Sequence, residues 1–307
     1  MAYTGTGTQE DPYLISTFAD FLECIAIDGA YVKVTKDLDA ATEGFEYIDP
    51  ITIEATQVYA DEKAVIQNVT ILGSTEAGSQ SFIYADTTSA KAVGLQKLHF
   101  KNWTLKAVNW NSSTFYVFDN PGAKPGFNIT ACTFEMEILC AGRPCAFMGS
   151  HQAYLTCAWS AFGITVREGD ASGFIFNGTN SSTLLQYCNV HLYSPDASAL
   201  RNNFFTTANV SGIIVEGFTL NTSQATSAKV VSMSLLGGGT GYSYIVLKNC
   251  VVPDTIVEYR TTSTAAKENL ICLDGTDGET FTFSGITNLT PEQLKSEEYL
   301  QSIGWLP

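Results

Sequence analysis

Six hexapeptides of similar pattern recur along the chain and decide its fold class. They are IQNVTI (66–71), FKNWTL (100–105), ITACTF (129–134), LQYCNV (185–190), VEGFTL (215–220) and LKNCVV (247–252). With a looser copy around Trp159, their anchor residues lie 27 to 34 residues apart. The anchors are Val69, Trp103, Cys132, Trp159, Cys188, Phe218 and Cys250. A short repeat that cannot bury its own apolar face must stack on its neighbours, which predicts a solenoid.

A second apolar pattern falls between successive hexapeptides. Its copies are SFIY (81–84), TFYV (114–117), CAFM (145–148), GFIF (173–176), NFF (203–205) and VVSM (230–233). Two alternating strand patterns predict stacked coils of two or three strands, and parallel crossovers are right-handed by default. We therefore predict an all-β fold, a right-handed parallel β-helix (solenoid) with a short helical cap at each end.

Alternation inside residues 132–138 predicts which side chains face the interior. Apolar residues take one face of this segment, whereas Glu135 and Glu137 take the other. The anchors are predicted to fill the interior as a stack of large and small residues. A metal ladder of Cys132, Cys188 and Cys250 is the alternative, but the motif offers no His or acidic co-ligand. We expect core packing and no metal site.

Both ends carry helix signals. Apolar spacing predicts one helix from about Thr17 to Ile27, with Gly29 just past its end. A second helix is predicted after TPEQ (290–293), a capping box with Pro at the first helical position, and it extends to about Ile303. The predicted organisation is a leader with capping helix (1–50), a parallel β-helix (51–285) and a helical tail (286–307).

Charge excludes several classes of partner. The chain has 307 residues, 16 Lys and Arg against 31 Asp and Glu, and a net charge of −15. This argues against nucleic acid and against an anionic membrane surface. No apolar run is long enough to cross a bilayer, and the N-terminus lacks a signal-peptide pattern, so no membrane insertion or export is expected.

Eight cysteines occur without a CxxC pair. Cys140 and Cys145 are close enough in sequence for a disulfide. The others are scattered, and we expect mainly free, buried thiols of a protein made in a reducing cytoplasm.

The two ends resemble a group of β-helical proteins. The segment GTGTQEDPYLIST (5–17) resembles the GxGTxxDPYxIST leader of proteins encoded by gut bacteria and their phages, and LTPEQ (289–293) with Gly304 and Trp305 resembles their ending. The resemblance covers about a tenth of the chain. The bacterial members usually carry export signals and glycine-rich repeats, and this chain shows neither. The resemblance therefore implies a phage virion protein, located in the particle.

Candidate chemistry is sparse. Glu135 and Glu137 project from one strand face about 6.5–7 Å apart, near the lower limit for an inverting glycosidase pair, although a solvated strand face is the alternative. None of the three histidines, His99, His151 and His191, pairs by pattern with a nucleophile. The acidic turn at 274–279 lacks the ligands of an EF-hand, so a plain turn is favoured, with weak binding of Ca²⁺ as the alternative. We predict no catalytic residue, no cofactor and no metal.

Exposed aromatic residues are the remaining hint of a binding function. Tyrosines and tryptophans beside predicted turns suit a sugar or a protein interface. They are Trp110, Tyr116, Tyr193, Tyr242 and Tyr244.

The expected function is a structural or host-contacting virion protein: a tail spike, head fibre or capsid decoration. Its expected partners are two further copies in a homotrimer, other virion proteins and a host surface glycan. The alternative is a polysaccharide-cleaving depolymerase or a bacterial surface adhesin.

Overall fold

The fold is all-β, and its strands pair in parallel. In the computed structural model, all 25 strands among the described residues lie in two sheets, of 17 and 8 strands. The described residues are 3–73, 80–85, 92–106, 114–120, 126–139, 143–150, 154–166, 174–179, 182–194, 202–208, 212–217, 219–224, 233–237, 245–248, 250–253, 256–259, 270–272, 286–289, 293 and 296–302. The all-β prediction is confirmed.

The large sheet contains two parallel ladders, which we call the first and second ladders. The first ladder comprises β1 (Tyr13–Ile15), β2 (Tyr31–Val34), the start of β5 (Gln57–Leu72), the start of β7 (Val93–Lys106), β9 (Phe127–Thr130), β12 (Tyr154–Ala158), β15 (Ser182–Gln186), β18 (Gly212–Glu216), β21 (Ile245–Lys248) and β24 (Leu270–Cys272). The second comprises β3 (Leu38–Asp39), the later parts of β5 and β7, β10 (Thr133–Leu139), β13 (Ala161–Val166), β16 (Asn189–Ser194), β19 (Thr219–Gln224), β22 (Cys250–Pro253) and β25 (Ile286–Leu289). The long strands β5 and β7 run through both ladders and join them into one sheet.

The smaller sheet forms a third ladder. Its strands are β4 (Ile51–Ile53), β6 (Gln80–Ala85), β8 (Thr114–Asn120), β11 (Arg143–Ser150), β14 (Phe174–Thr179), β17 (Asn202–Ala208), β20 (Met233–Gly237) and β23 (Ile256–Tyr259). Along the chain the strands visit the first, second and third ladders in turn. Each pairs with the strand one repeat later, so equivalent residues lie in columns.

Two columns of buried side chains form the core beneath the first and second ladders. The first-ladder column is Val32, Val58, Leu95, Ile129, Cys157 and Leu185. The second-ladder column is Leu38, Ile66, Phe100, Phe134, Phe162 and Val190. Phe134 stacks on Phe100 and Phe162, with ring centroids 4.8 and 5.1 Å apart. Offset ring stacking adds to the burial of apolar area, so these columns hold the repeats together.

The corner between the first and second ladders uses the left-handed backbone region. The corner residues are Lys97, Ala131, Trp159, Tyr187 and Gly217, all with φ between 53° and 61°. A left-handed residue reverses the alternation of a strand, so its side chain points outwards. Trp159 is 64% exposed and Tyr187 43% exposed, and their rings stack 4.2 Å apart. The predicted interior position of Trp159 is therefore wrong.

The register also corrects the alignment of the anchors. Trp103 pairs with Met136, not with Cys132. Asn68 and Asn102 occupy left-handed positions within β5 and β7, whereas β10 has no equivalent residue, which shifts the pairing by one. The larger part of the displacement has another cause. The hexapeptides at 66–71 and 100–105 lie within the second ladder, whereas the one at 129–134 crosses the corner at Ala131, so their anchors are not equivalent positions.

A helix forms near the N-terminus, within the range that the sequence predicts. Helix α1 (Phe18–Ile25) begins at Thr17, whose hydroxyl accepts a hydrogen bond from the Asp20 amide. The Glu43 carboxylate also accepts bonds from the amides of Phe18 and Ala19, 2.6 and 3.1 Å away. These acceptors satisfy amides that a helix start leaves open.

At the other end, helix α2 (Glu297–Ser302) lies within the predicted second helix. Residues 290–292 of the predicted capping box lie outside the described residues. Among the helices that the structure describes, none is long and apolar enough to cross a membrane.

Candidate binding groove on the second ladder

An open groove of about 680 Å³ lies on the outer side of the second ladder. We call it the charged groove, because Lys101, Glu135, Glu137 and His191 line it. Asn102, Gly163 and Thr165 contribute to its wall and floor. The two glutamates that the sequence singles out therefore share one groove.

Strand register explains why the groove forms at this place. Gly163 lies between Glu135 on β10 and His191 on β16 in one outward column. Its missing side chain leaves a gap between two long polar ones. A glycine inside a strand commonly marks such a close approach. A glycine inside the apolar pattern of a strand, here Gly163, is therefore the sequence signal that indicates the groove.

Alternation along β10 sets the geometry of the two carboxylates. Phe134, Met136 and Ile138 are buried, whereas the residues between them are partly exposed. Glu137 lies two positions after Glu135 on the strand, which corresponds to about 6.6 Å of rise. The predicted outward face is confirmed.

One glutamate is held by a histidine on the preceding repeat. The Nε2 atom of His99 lies 2.8 Å from Oε1 of Glu135, and the side chains are 19% and 45% exposed. The sequence did not pair His99 with any group. This contact fixes the orientation of Glu135 and occupies one of its oxygens. Glu137, two residues further along β10, also lines the groove.

Asn102, which lines the groove, is the end of a chain of side-chain hydrogen bonds. The Asn102 amide donates to Asn68 at 2.7 Å, and the Asn68 amide donates to Oδ2 of Asp39 at 3.0 Å. Gln67 also donates to Oδ2 of Asp39. The bond from Asn68, more than any other contact, lowers the pKa of Asp39 below its usual value. The wall of the groove is thus tied to a carboxylate two repeats away.

Four of the cysteines have side chains that the structure describes, and these belong to the core. Cys24, Cys132, Cys157 and Cys188 are free and buried. Ser160 separates Cys132 from Cys188, accepting a hydrogen bond from the Cys132 amide. Burial raises the pKa of the Cys132 thiol to about 12. Because a metal ligand or nucleophile must be a thiolate, this thiol is suited to packing. Core packing is thus favoured over a metal ladder.

Several predicted features fall outside what the structure describes. His151, the acidic turn at 274–279 and the aromatic residues Trp110, Tyr242 and Tyr244 are among them, as is Cys140. Within the described residues, no group of three or more His, Cys, Asp or Glu side chains is placed to hold a metal ion.

Comparison with known protein families, curated proteins and solved structures finds no match to this chain.

Proposed function

We propose that the chain is a right-handed parallel β-helix that serves as a structural, host-contacting component of a phage particle and is not an enzyme. The leader and the ending, with their resemblance to β-helical virion proteins, support the phage assignment. The three parallel ladders support the β-helical architecture, since strands that visit three ladders in turn describe successive turns of a coil. Such a protein is made in the cytoplasm of the bacterial host and ends up in the virion.

The observation that carries the contact function is an open polar groove on the outer side of a rigid ladder. A groove of about 680 Å³ lies in the range of small-ligand sites, and its lining donates and accepts hydrogen bonds. Host surface glycans carry hydroxyl groups that suit such a lining.

Long ladders also offer flat flanks for association, and we propose a homotrimer attached to other virion proteins.

Binding to intact cells tests the contact function. The labelled full-length protein is incubated with a panel of gut bacteria, before and after mild periodate oxidation of their surface glycans. The proposal predicts saturable binding to at least one strain and its loss after oxidation. Binding that survives oxidation, or no binding to any strain, would contradict contact with a host glycan.

A polysaccharide depolymerase is the second candidate, favoured by one observation. Glu135 and Glu137 line the same groove at about 6.6 Å along the strand, near the lower limit of the roughly 6.5–9.5 Å that separates an inverting pair. Against it, Glu135 is already engaged by His99.

Release of new reducing ends from the surface polysaccharide of a bound strain decides between the two. The non-enzymatic proposal predicts no release by the wild-type protein. If release occurs and falls more than about 100-fold in Glu135→Gln or Glu137→Gln, the depolymerase replaces it. Glu62→Gln, which alters an exposed carboxylate outside the groove, is the matched control.

A further inference from the structure

A second groove of about 350 Å³ lies on the outer side of the first ladder. We call it the neutral groove, because none of the described residues that line it is Asp, Glu, Lys, Arg or His. Its polar lining consists of Gln9, Tyr31, Gln57, Tyr59, Gln96, Asn128 and Thr130, with Gly94 in the floor. We propose that this groove binds an uncharged oligosaccharide. The inference deepens the proposed contact with a host glycan and rests on it.

The floor of the groove is built by one glutamine and one glycine. Gly94 follows Gln57 in the same column of the ladder. A Cβ atom on Gly94 would lie only 2.0 Å from Oε1 of Gln57, so the amide lies flat across the glycine. Its nitrogen donates to the Ala92 carbonyl oxygen at 2.6 Å. The amide plane is therefore held in place before any ligand arrives, which lowers the entropy lost on binding.

Two tyrosines lie beside this floor. Tyr31 pairs with Gln57, and Tyr59 lies two residues further along β5. One rung of about 4.8 Å and two residues of about 3.3 Å each place their Cα atoms roughly 8 Å apart. Both side chains are partly exposed. Aromatic rings with a hydroxyl at the tip offer an apolar face to the CH groups of a sugar and a polar edge to its hydroxyls.

The remaining lining completes a hydrogen-bonding set. Gln96 and Asn128 are exposed amides, and Thr130 adds a hydroxyl on the neighbouring strand. Amides and hydroxyls both donate and accept, as sugar hydroxyls do. A charged ligand would find no countercharge in the lining. The ten residues that line the groove form too small a surface for a protein partner, since specific interfaces bury about 1,200 Å² or more.

Nearby charges do not disturb this neutrality. Lys33, which pairs with Tyr59 in the register, has its ammonium 2.6 Å from the Asp61 carboxylate. Lys97 donates to the Asp61 carbonyl oxygen. Both ammonium groups are thus directed to Asp61.

Calorimetric titration of the full-length protein with neutral oligosaccharides tests the inference. The probes are hexasaccharides of glucose, galactose, mannose and N-acetylglucosamine, with a hexasaccharide of galacturonic acid as the charged comparison. We expect at least one neutral probe to bind, and Tyr59→Ala or Tyr31→Ala to weaken it about tenfold, or about 1.4 kcal/mol. Tyr47→Ala, which removes a tyrosine 57% exposed outside the groove, should leave binding unchanged.

A second variant closes the groove without removing an aromatic ring. In Gly94→Ala the new methyl displaces the Gln57 amide, whose far end can move, into the space for the ligand. Binding should fall at least tenfold, while the denaturation midpoint stays within a few degrees of wild type. Failure of all neutral probes to bind at about 10 mM would overturn the inference. So would binding that both Tyr59→Ala and Gly94→Ala leave intact, or binding confined to the galacturonic acid probe.

The outcomes separate this inference from the proposed function. If a trimer binds bacterial cells but no neutral probe, only the neutral groove is wrong. If the protein binds a neutral probe with the expected variant pattern but is monomeric, the groove stands and the virion proposal is wrong.

Discussion

The charged groove and the neutral groove arise in the same way and differ in chemistry. Each has a glycine in an outward column, Gly163 in one and Gly94 in the other, and each lies above a continuous column of buried side chains. The neighbours of Gly163 are Glu135 and His191, whereas those of Gly94 are Gln57 and Asn128. In both ladders a missing side chain accompanies the groove, and the residues one repeat away set the charge of its lining.

The largest expected effect is on the free energy of unfolding. It tests whether each groove is supported by its own column of buried side chains. Phe134→Ala removes the middle ring of the aromatic stack beneath the charged groove and should cost about 3–5 kcal/mol of unfolding free energy. Chemical denaturation measures it. Leu95→Ala removes a side chain beneath the neutral groove and serves as the comparison variant. It should cost about 2–5 kcal/mol of unfolding free energy.

Binding then sharpens this comparison. While still folded, Phe134→Ala should retain binding of a neutral oligosaccharide, whereas Leu95→Ala should weaken it. Equal loss of oligosaccharide binding in both variants would show that the columns do not act separately.

Much of this arrangement follows from the sequence, and the reasons for the rest are physical. Period-two alternation correctly places Glu135 and Glu137 outside because β10 is a regular strand. Helix α1 follows from its apolar spacing and the Thr17 cap. Trp159 was misplaced because a left-handed corner reverses alternation, and no residue type marks that corner.

The neutral groove escaped prediction for a different reason. Its residues come from four strands and the leader, and they meet only when the register is known. Gln57 and Gly94 are neighbours because β5 pairs with β7 in one particular alignment. The register between β5 and β7 also shifts between Tyr59 and Ala64, and the hexapeptide pattern does not encode that shift.

A smaller effect should distinguish the grooves by pH. Asp39 holds the hydrogen-bonded chain that ends at Asn102 in the charged groove. Because folding lowers the pKa of Asp39, its contribution is complete above the unfolded value of about 3.9 and is lost as the pH falls through the lower folded value. Asp39→Ala should cost about 1–2 kcal/mol at pH 7 and less in acid.

Denaturation curves between pH 7 and roughly pH 2 measure this loss. Asp49→Ala, which alters an exposed carboxylate outside the chain of hydrogen bonds, is the control and should change little. An Asp39→Ala penalty that is the same at both ends of the pH range would contradict the role of the ionised carboxylate.

The corner between the ladders should respond more weakly. Ala131 has a φ of 54°, a region in which glycine is unstrained. Ala131→Gly should therefore stabilise the fold by about 0.5–1 kcal/mol, despite the greater freedom of glycine in the unfolded chain. Ala158→Gly, in strand β12, should instead destabilise it by a similar amount. Denaturation midpoints of the two variants should move in opposite directions, and movement in the same direction would contradict corner strain.

The smallest expected effect is that of salt on the neutral groove. Raising the salt from about 0.1 M to about 1 M should change the affinity for a neutral oligosaccharide less than about twofold, because no charge of the groove needs screening. A charged ligand of the charged groove should bind more weakly over the same range, because salt screens its interaction with Lys101, Glu135 and Glu137. A tenfold loss of oligosaccharide affinity at high salt would show that charge matters in the neutral groove too, and would contradict the distinction between the two grooves.

Light scattering of the purified full-length protein tests the virion proposal most directly. One chain has a mass of 33.2 kDa. A spike or fibre built on this fold should measure three times that value and should stay assembled in cold detergent. A clean monomer at 33.2 kDa, unchanged by concentration, would contradict the account and favour the depolymerase or adhesin.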